Sequence, residues 1–468
     1  MQLWINQYLS RLKILIMRKT LLLTTAVILG IARTYAQQLE KLHDFEIQDG
    51  KITYSHLVSD GSYLYGMSNG GGEFDKGTIY KVKKDGSEFF KLLDFDGTNG
   101  ERLYNSLTLV GQELFGVAYR GGAADRGILF KINTDGSNFQ KLVDFGIGNN
   151  GMYPNCTLYH LDGFLYGTTY SGGNTGSGTV FKIKTDGSDF TELHYFNSTD
   201  VVSPHGNFVF DGEYFYGASF NGSTVSNSTI YKIKPDGTGF MKLHDFPDEL
   251  TNTNVSPNEL LLVDDVLYGT TIYSETEQDG YVYSLKTDGT DFSILHQFVQ
   301  QSGIQPRGKL IFSNDFLYGT TSVGGGIFRI ATDGTDFENI FVFDSQSGYG
   351  TFAGLHFEDD AFFGATFYGG ENGNGTVYKF IEESLSSVSN SDTEEISLFP
   401  NPVKDFVQIR SAAAVKSYQL ISVTGRQLMS GTISDQNNLN MSQLQTGVYF
   451  LKLTLNNGQT KTLKMIKL

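Results

Sequence analysis

The stretch EKLHDF, residues 40–45, lies directly behind a signal-like N-terminus, and a near copy, MKLHDF, returns at residues 241–246. Looser versions of the element occur at 91–95, 141–145, 192–196, 294–298 and 339–343. Each later copy ends a repeat, but the first has no repeat in front of it. Where that orphan belongs decides the fold.

Two further elements keep step with it. A Leu-Tyr-Gly tripeptide or close variant ends at Gly66, Gly116, Gly167, Gly217, Gly269, Gly319 and Gly364. An Ile-Tyr-Lys-like tripeptide begins at Ile79, Leu129, Val180, Ile230, Val282, Ile327 and Val377. An Asp-Gly pair follows six residues later in every repeat but the last, with its aspartate at 85, 135, 186, 236, 288 and 333. Each unit therefore reads as four short strands, in the second copy SLTLVGQ, ELFGVAY, GILFKIN and FQKLVDF. Asp-Gly suits the tight turns between them, because glycine reaches positive φ without steric cost. Four-stranded units of roughly 40–50 residues are the signature of a β-propeller. The last unit stops at Val377–Phe380 without a fourth strand, so the orphan supplies it and leaves no open sheet end. The sequence predicts an all-β, seven-bladed β-propeller over 37–380, with the N-terminal strand closing the last blade.

Composition agrees with this reading. The 468 residues include 55 glycines, and only 18% are charged while 13% are aromatic, as in a turn-rich β protein. Residues 1–36 read as a presequence whose true start is Met17: Arg18 and Lys19 precede an apolar run, and small residues lead to cleavage near Ala36. That segment carries five basic residues and no acidic one, so its removal takes the net charge from −16 to −21. Such a surface repels phosphate backbones and excludes nucleic acid as a partner. No transmembrane anchor is expected in the mature chain. Cys156 is the only cysteine, which excludes an intrachain disulfide and reads as a small strand residue.

The pattern carried by LYGTTYSGGNTGSGTVFKIKTDGSDF (165–190) and FFGATFYGGENGNGTVYKF (362–380) resembles the Gloeobacter/Verrucomicrobia tandem repeat. The resemblance covers about residues 40–380 and implies an extracellular repeat domain, without bringing an activity, a cofactor or a site. Residues 381–395, rich in serine and acid, read as a flexible linker. Beyond it, 396–468 alternates like the strands of a small Ig-like β-sandwich. FPNPV (399–403), VTGR (423–426), GVY (447–449) and the terminal KMIKL (464–468) resemble the type A C-terminal sorting domain of the type IX secretion system of Bacteroidetes. That resemblance implies export to the cell surface or beyond, with the secretion machinery as a partner.

Chemistry is harder to find. Four of the eight histidines, His43, His194, His244 and His296, share one repeat slot and cannot converge on one metal. DFDGTNGE (94–101) lacks the ligand order of a calcium loop. No nucleophile, zinc or phosphate-loop motif occurs. The sequence thus assigns no catalytic residue, no metal site and no cofactor. Variation in repeat length falls near the connections from fourth to first strand and from second to third, which share one face of a propeller. Binding residues concentrate on such loops, and the candidates there are Tyr104, Tyr153, Tyr170, His205, Tyr273, Arg307 and Tyr368. Tyr119, Tyr170, Phe220 and Phe367 share the slot three residues after the Leu-Tyr-Gly glycine, which reads as core between blades. The reading that follows is a secreted, non-catalytic module binding an extracellular glycan or protein. Its alternatives are a polysaccharide hydrolase or lyase, and a structural adhesion component.

Overall fold

The computed structural model describes residues 39–222, 228–246, 257–272, 279–299, 303–382 and, with short gaps, 397–467. The expected leader at 1–36, most of the expected linker at 381–395 and the candidate Tyr273 lie outside the described residues. Among those described there is no helix, hence none long and apolar enough to cross a membrane. The chain divides into two compact units at Glu382/Glu383.

In the first unit, strand β1 (Leu39–Asp44) is followed by β2 (Val58–Ser59), β3 (Tyr63–Ser68), β4 (Thr78–Lys83) and β5 (Phe89–Asp94). The last four pair in chain order as one antiparallel sheet. The repeats build six more sheets on this plan. The third and sixth add a short strand beside the second strand of the repeat, and the fourth adds Cys156–Thr157 in parallel to its long first strand, Val201–Phe210. The seventh sheet contains His356–Glu358, Ala361–Ala365 and Thr376–Phe380, and its fourth strand is β1. Leu39 lies opposite Phe380 and Asp44 opposite Thr376, with a register shift between Lys41 and His43. The β4–β5 pair carries the same shift at the equivalent place.

One contact repeats between every sheet and the next. The phenylalanine that ends each fourth strand meets the third-strand aromatic ring of the following sheet. Phe95 meets Phe130 at 5.5 Å between centroids, Phe145 meets Phe181 at 5.4 Å, and Phe196 meets Tyr231 at 5.2 Å. Phe246 and Tyr283 follow at 5.4 Å, Phe298 and Phe328 at 5.1 Å, and Phe343 and Tyr378 at 5.0 Å. Phe45 of β1 then meets Tyr80 of the first sheet, also at 5.0 Å. The cycle returns to its start. Each such phenylalanine contributes roughly 1.5–3 kcal/mol by burial, and about 0.5–1.5 kcal/mol more from ring geometry.

Glycine is required at two places in this packing. Gly86, at φ 71°, turns the chain over Leu42, and a Cβ there would lie 3.2 Å from the Leu42 backbone. Gly66 has ordinary φ, but a Cβ would lie 2.4 Å from the Tyr80 hydroxyl. The recurring Leu-Tyr-Gly glycine is thus a seat for the ring on the neighbouring strand.

Of the expected linker, Ile381 and Glu382 are described, and Glu382 is not loose. It is 5% exposed, accepts a hydrogen bond from the Tyr318 hydroxyl at 2.9 Å and pairs with Arg329. The first unit holds the chain two residues further than the sequence suggests, because a carboxylate in an acid-rich stretch finds a cation on the sheet.

The second unit has a three-stranded sheet (Ser397–Phe399, Phe406–Arg410, Asn438–Asn440). Its four-stranded sheet is ordered Gln427–Thr432, Val415–Ser422, Gly447–Leu455, Thr460–Lys467. Val403, Val407, Ile409, Leu420, Leu451, Leu453 and Met465 form one core.

Candidate ligand-binding site

An aliphatic or aromatic residue stands nine positions before each Leu-Tyr-Gly glycine: Leu57, Leu107, Leu158, Phe208, Leu260, Leu310 and Leu355. Five residues before it the backbone is left-handed in every described copy. Those residues are Ile52 (φ 63°), Arg102 (61°), Tyr153 (58°), Ser203 (59°), Gln305 (57°) and Gly350 (72°). Holding a β-branched residue such as Ile52 there costs about 1–2 kcal/mol. Residues three and one before the aliphatic position then alternate with the one between them, which faces the other way.

The intervening residues serve the scaffold. Ser55 accepts a hydrogen bond from the Met67 amide and donates to its carbonyl, both at 3.0 Å. Cys156 occupies the same slot and accepts from the Thr168 amide at 3.2 Å. Burial pushes its thiol up to about 12, so at neutral pH it is no nucleophile.

The alternating positions vary from repeat to repeat, the second of them in every one. Three before the aliphatic residue stand Tyr54, Tyr104, Asn155, His205, Pro257, Arg307 and Phe352; one before stand His56, Ser106, Thr157, Asn207, Glu259, Lys309 and Gly354. Residues from all seven sheets meet around one open pocket of about 640 Å³, within the range of small-ligand sites. A smaller cavity of about 290 Å³ shares His56 and Lys309 with it.

The pocket has two unlike sides. Along one, rings follow each other from Phe352 to Tyr54 (5.5 Å), Tyr104 (5.4 Å), Tyr119 (5.6 Å), Tyr170 (6.1 Å) and Phe220 (6.4 Å). His205 ends this arc, stacked on Phe220 at 3.6 Å. The other side, from the fifth and sixth sheets, presents Asn258, Glu259, Arg307 and Lys309. Arg307 lies 4.8 Å over the Phe352 ring, where arc and charged side meet.

The two histidines are committed to neutral roles. Ser106 Oγ accepts from the His56 amide at 2.9 Å and shares a second hydrogen bond with Nδ1 at 2.7 Å. Desolvation, with Lys309 adding to it, holds the His56 imidazole down to about 3. A serine–histidine contact of this length resembles a nucleophile and its base, but an imidazole that weak cannot take the proton. His205 donates from Nε2 to the Pro257 carbonyl at 2.8 Å and is held down to about 4 by burial. Glu259 accepts from Thr157 at 3.2 Å through Oε1, while its buried Oε2 has no hydrogen-bond partner and lies 3.8 Å from His56 Nδ1. Desolvation raises its pKa.

Of the sequence candidates, Tyr104, Tyr170, His205 and Arg307 line this pocket. Tyr153 stands behind it, stacked on Tyr119 at 5.0 Å and flanked by Arg120 and Arg126. Tyr368 is 44% exposed, pairs with Tyr349 and lies outside the lining. The slot read as core divides: Phe367 is 7% exposed, whereas Tyr119, Tyr170 and Phe220 are half-buried and line the pocket. Sequence reasoning passed over Tyr54, His56, Glu259 and Lys309. A signal was there, in a slot that runs His, Ser, Thr, Asn, Glu, Lys, Gly beside an almost constant leucine.

The other chemical candidates are tied into the scaffold. In DFDGTNGE, Asp94 accepts from the Glu73 amide at 2.9 Å, Asp96 from the amides of Thr98 and Asn99, and Glu101 pairs with Lys76. Among the described residues no group of three or more His, Cys, Asp or Glu side chains is placed to hold a metal ion.

An all-β, propeller-like repeat protein with a ligand-sized pocket between its innermost strands is the class that this fold and site define. Two matches to the model of the Gloeobacter/Verrucomicrobia repeat, over 110–263 and 251–395, together span more than half of the sequence. The chain belongs to that family. The model of the secretion system C-terminal sorting domain matches 397–467, and this type IX sorting tail directs export to the cell surface or the extracellular space. No curated protein matches the chain.

Among solved structures, one similar fold is the extracellular domain of a hybrid two-component system of B. thetaiotaomicron. It is 15% identical with a TM-score of 0.51, covers 90% of this chain, and is itself spanned over 57% of its length. Another is an oligogalacturonate lyase in complex with manganese. It is 14% identical with a TM-score of 0.52, over 75% of this chain and 96% of that one. Identities this low speak for the fold alone.

Proposed function

We propose that the first unit is a closed seven-bladed β-propeller spanning 37–380 and the second an Ig-like sandwich spanning 396–468. The chain, freed of its leader near Ala36, works outside the cell as a non-catalytic binding protein. Its ligand is a glycan held in the pocket of the first unit. The arc of rings from Phe352 to Phe220 carries this reading, because aromatic faces pack against the apolar C–H faces of sugars and their hydroxyls tolerate a polar rim. The neutral, hydrogen-bonded states of His56 and His205 favour binding over turnover.

Polysaccharide cleavage is a second reading. One observation favours it, the Glu259 carboxyl whose pKa desolvation raises, as a general acid requires. The test is a glycan array with the secreted full chain, followed by assays for new reducing ends on every bound glycan. Binding without release is expected. Release that Glu259→Gln abolishes would replace binding by catalysis, and an array without hits would remove glycans as the ligand.

A further inference from the structure

We propose that the glycan taken by this pocket is acidic, with an anionic group on its sugar ring that meets Lys309 and Arg307. The inference rests on the glycan reading above and goes beyond it by assigning the charge of the ligand.

The first observation is an inversion of charge. The chain has 51 acidic and 35 basic residues, yet the pocket is lined by three cations, Arg102, Arg307 and Lys309, and a single carboxylate, Glu259. That carboxylate is shifted toward its neutral form by desolvation. A cation-rich concavity in an otherwise acidic protein focuses a positive potential where a ligand enters.

The second observation is the incomplete pairing of Lys309. Many lysines elsewhere on this unit are matched with carboxylates, as in Lys51–Asp75 at 2.9 Å, Lys84–Asp359 at 2.6 Å and Lys131–Glu113 at 2.7 Å. Lys309 is half-buried and forms no hydrogen bond or close ion pair among the described residues; its electrostatic neighbours in the pocket are His56 and the buried Glu259, whose carboxylate form it favours. An ammonium drawn partly out of water, with one buried carboxylate near it that desolvation shifts toward its neutral form, is left short of negative charge. An anion arriving with the ligand supplies the missing partner.

Placement ties the two together. Arg307 and Lys309 are two residues apart on the way into one strand, so they face the same side about 6–7 Å apart in depth. The ring arc stands across the pocket from Lys309. A sugar can lay its apolar face on the rings while its acidic substituent turns to the cations.

The experiment compares three hexasaccharides of equal length on the secreted full chain by calorimetry: one of uronate residues, its carboxyl-reduced counterpart, and a sulfated neutral one. Binding of an acidic form about tenfold or more tighter than the reduced form is expected, in line with one charge-assisted hydrogen bond. Raising the salt concentration should weaken the acidic ligand alone. The better of the two acids identifies the anion. Lys309→Met should remove most of the difference between acidic and reduced ligands, with a melting curve confirming the fold. The salt dependence of the unaltered protein is an independent readout should that variant fail to fold. Equal affinity for acidic and reduced forms would overturn this assignment and leave glycan binding intact. Binding of none of the three would overturn both.

Discussion

The outer edge of the sheets and the inner mouth use the same residue types for opposite ends. At the outer edge, His43, His194, His244 and His296 lie against Phe89, Phe240, Phe292 and Phe337 of the next sheet, at 3.7, 4.8, 4.0 and 3.6 Å. Each contact joins one repeat to its neighbour. At the inner mouth, His56 and His205 have no copies in their slots, and each bonds a residue of the adjoining sheet, Ser106 or Pro257. A residue that recurs in one repeat slot serves the contact that recurs with it. Positions where the repeats disagree, brought together around one pocket, can compose an asymmetric site.

The largest effect that could break this comparison comes from β1. Deleting residues 39–45 removes the outer strand of the seventh sheet, with Leu42 and Phe45 at 5% and 0% exposure. A loss on the order of 5–10 kcal/mol is expected, seen as loss of a cooperative melting transition. A variant that melts like the full chain would show that the Phe45–Tyr80 contact carries little.

At the mouth the expected effects move from stability to binding. Tyr104→Ala and Tyr170→Ala should each weaken glycan binding by about 1–2 kcal/mol, roughly tenfold, because each removes a ring from the arc. Melting temperatures should stay within about 2 °C. If either variant lost stability and kept its affinity, that ring would belong to the scaffold.

The outer histidines predict a pH dependence. Burial lowers the folded-state pKa of His194, His244 and His296 from the ordinary 6.5. Well above 6.5 both folded and unfolded chains hold neutral imidazoles, and the stacks contribute in full. Below it the unfolded chain takes up protons that the folded chain resists, so stability falls as the pH drops. His244→Leu copies the residue that the first repeat holds in this slot, Leu93. It should be near neutral at pH 7 and more stable than the parent at pH 5 in denaturant titrations. An identical slope for both proteins would remove His244 from the account.

The smallest effect is expected at Tyr368. It was a candidate by sequence, yet it lies on Tyr349 away from the lining. Tyr368→Ala should change glycan affinity by less than about twofold, and a larger loss would extend the site outward to the rim.

Sequence by itself determined the period, the strand content and the place of the orphan EKLHDF, because these depend on spacing, which is local and repeated seven times. Its variable loops also pointed to Tyr104, Tyr170, His205 and Arg307, which line the pocket. It misjudged Tyr119 and Phe220 as core: one slot can be buried in the seventh repeat, as at Phe367, and open in the second. Only tertiary structure decided that Glu259 and Lys309 share a cavity with His56, about two hundred residues away in the chain. The physical reason is closure. The cycle of phenylalanine contacts brings seven strand starts together, and which side chains then find partners there depends on neighbours that no single repeat contains.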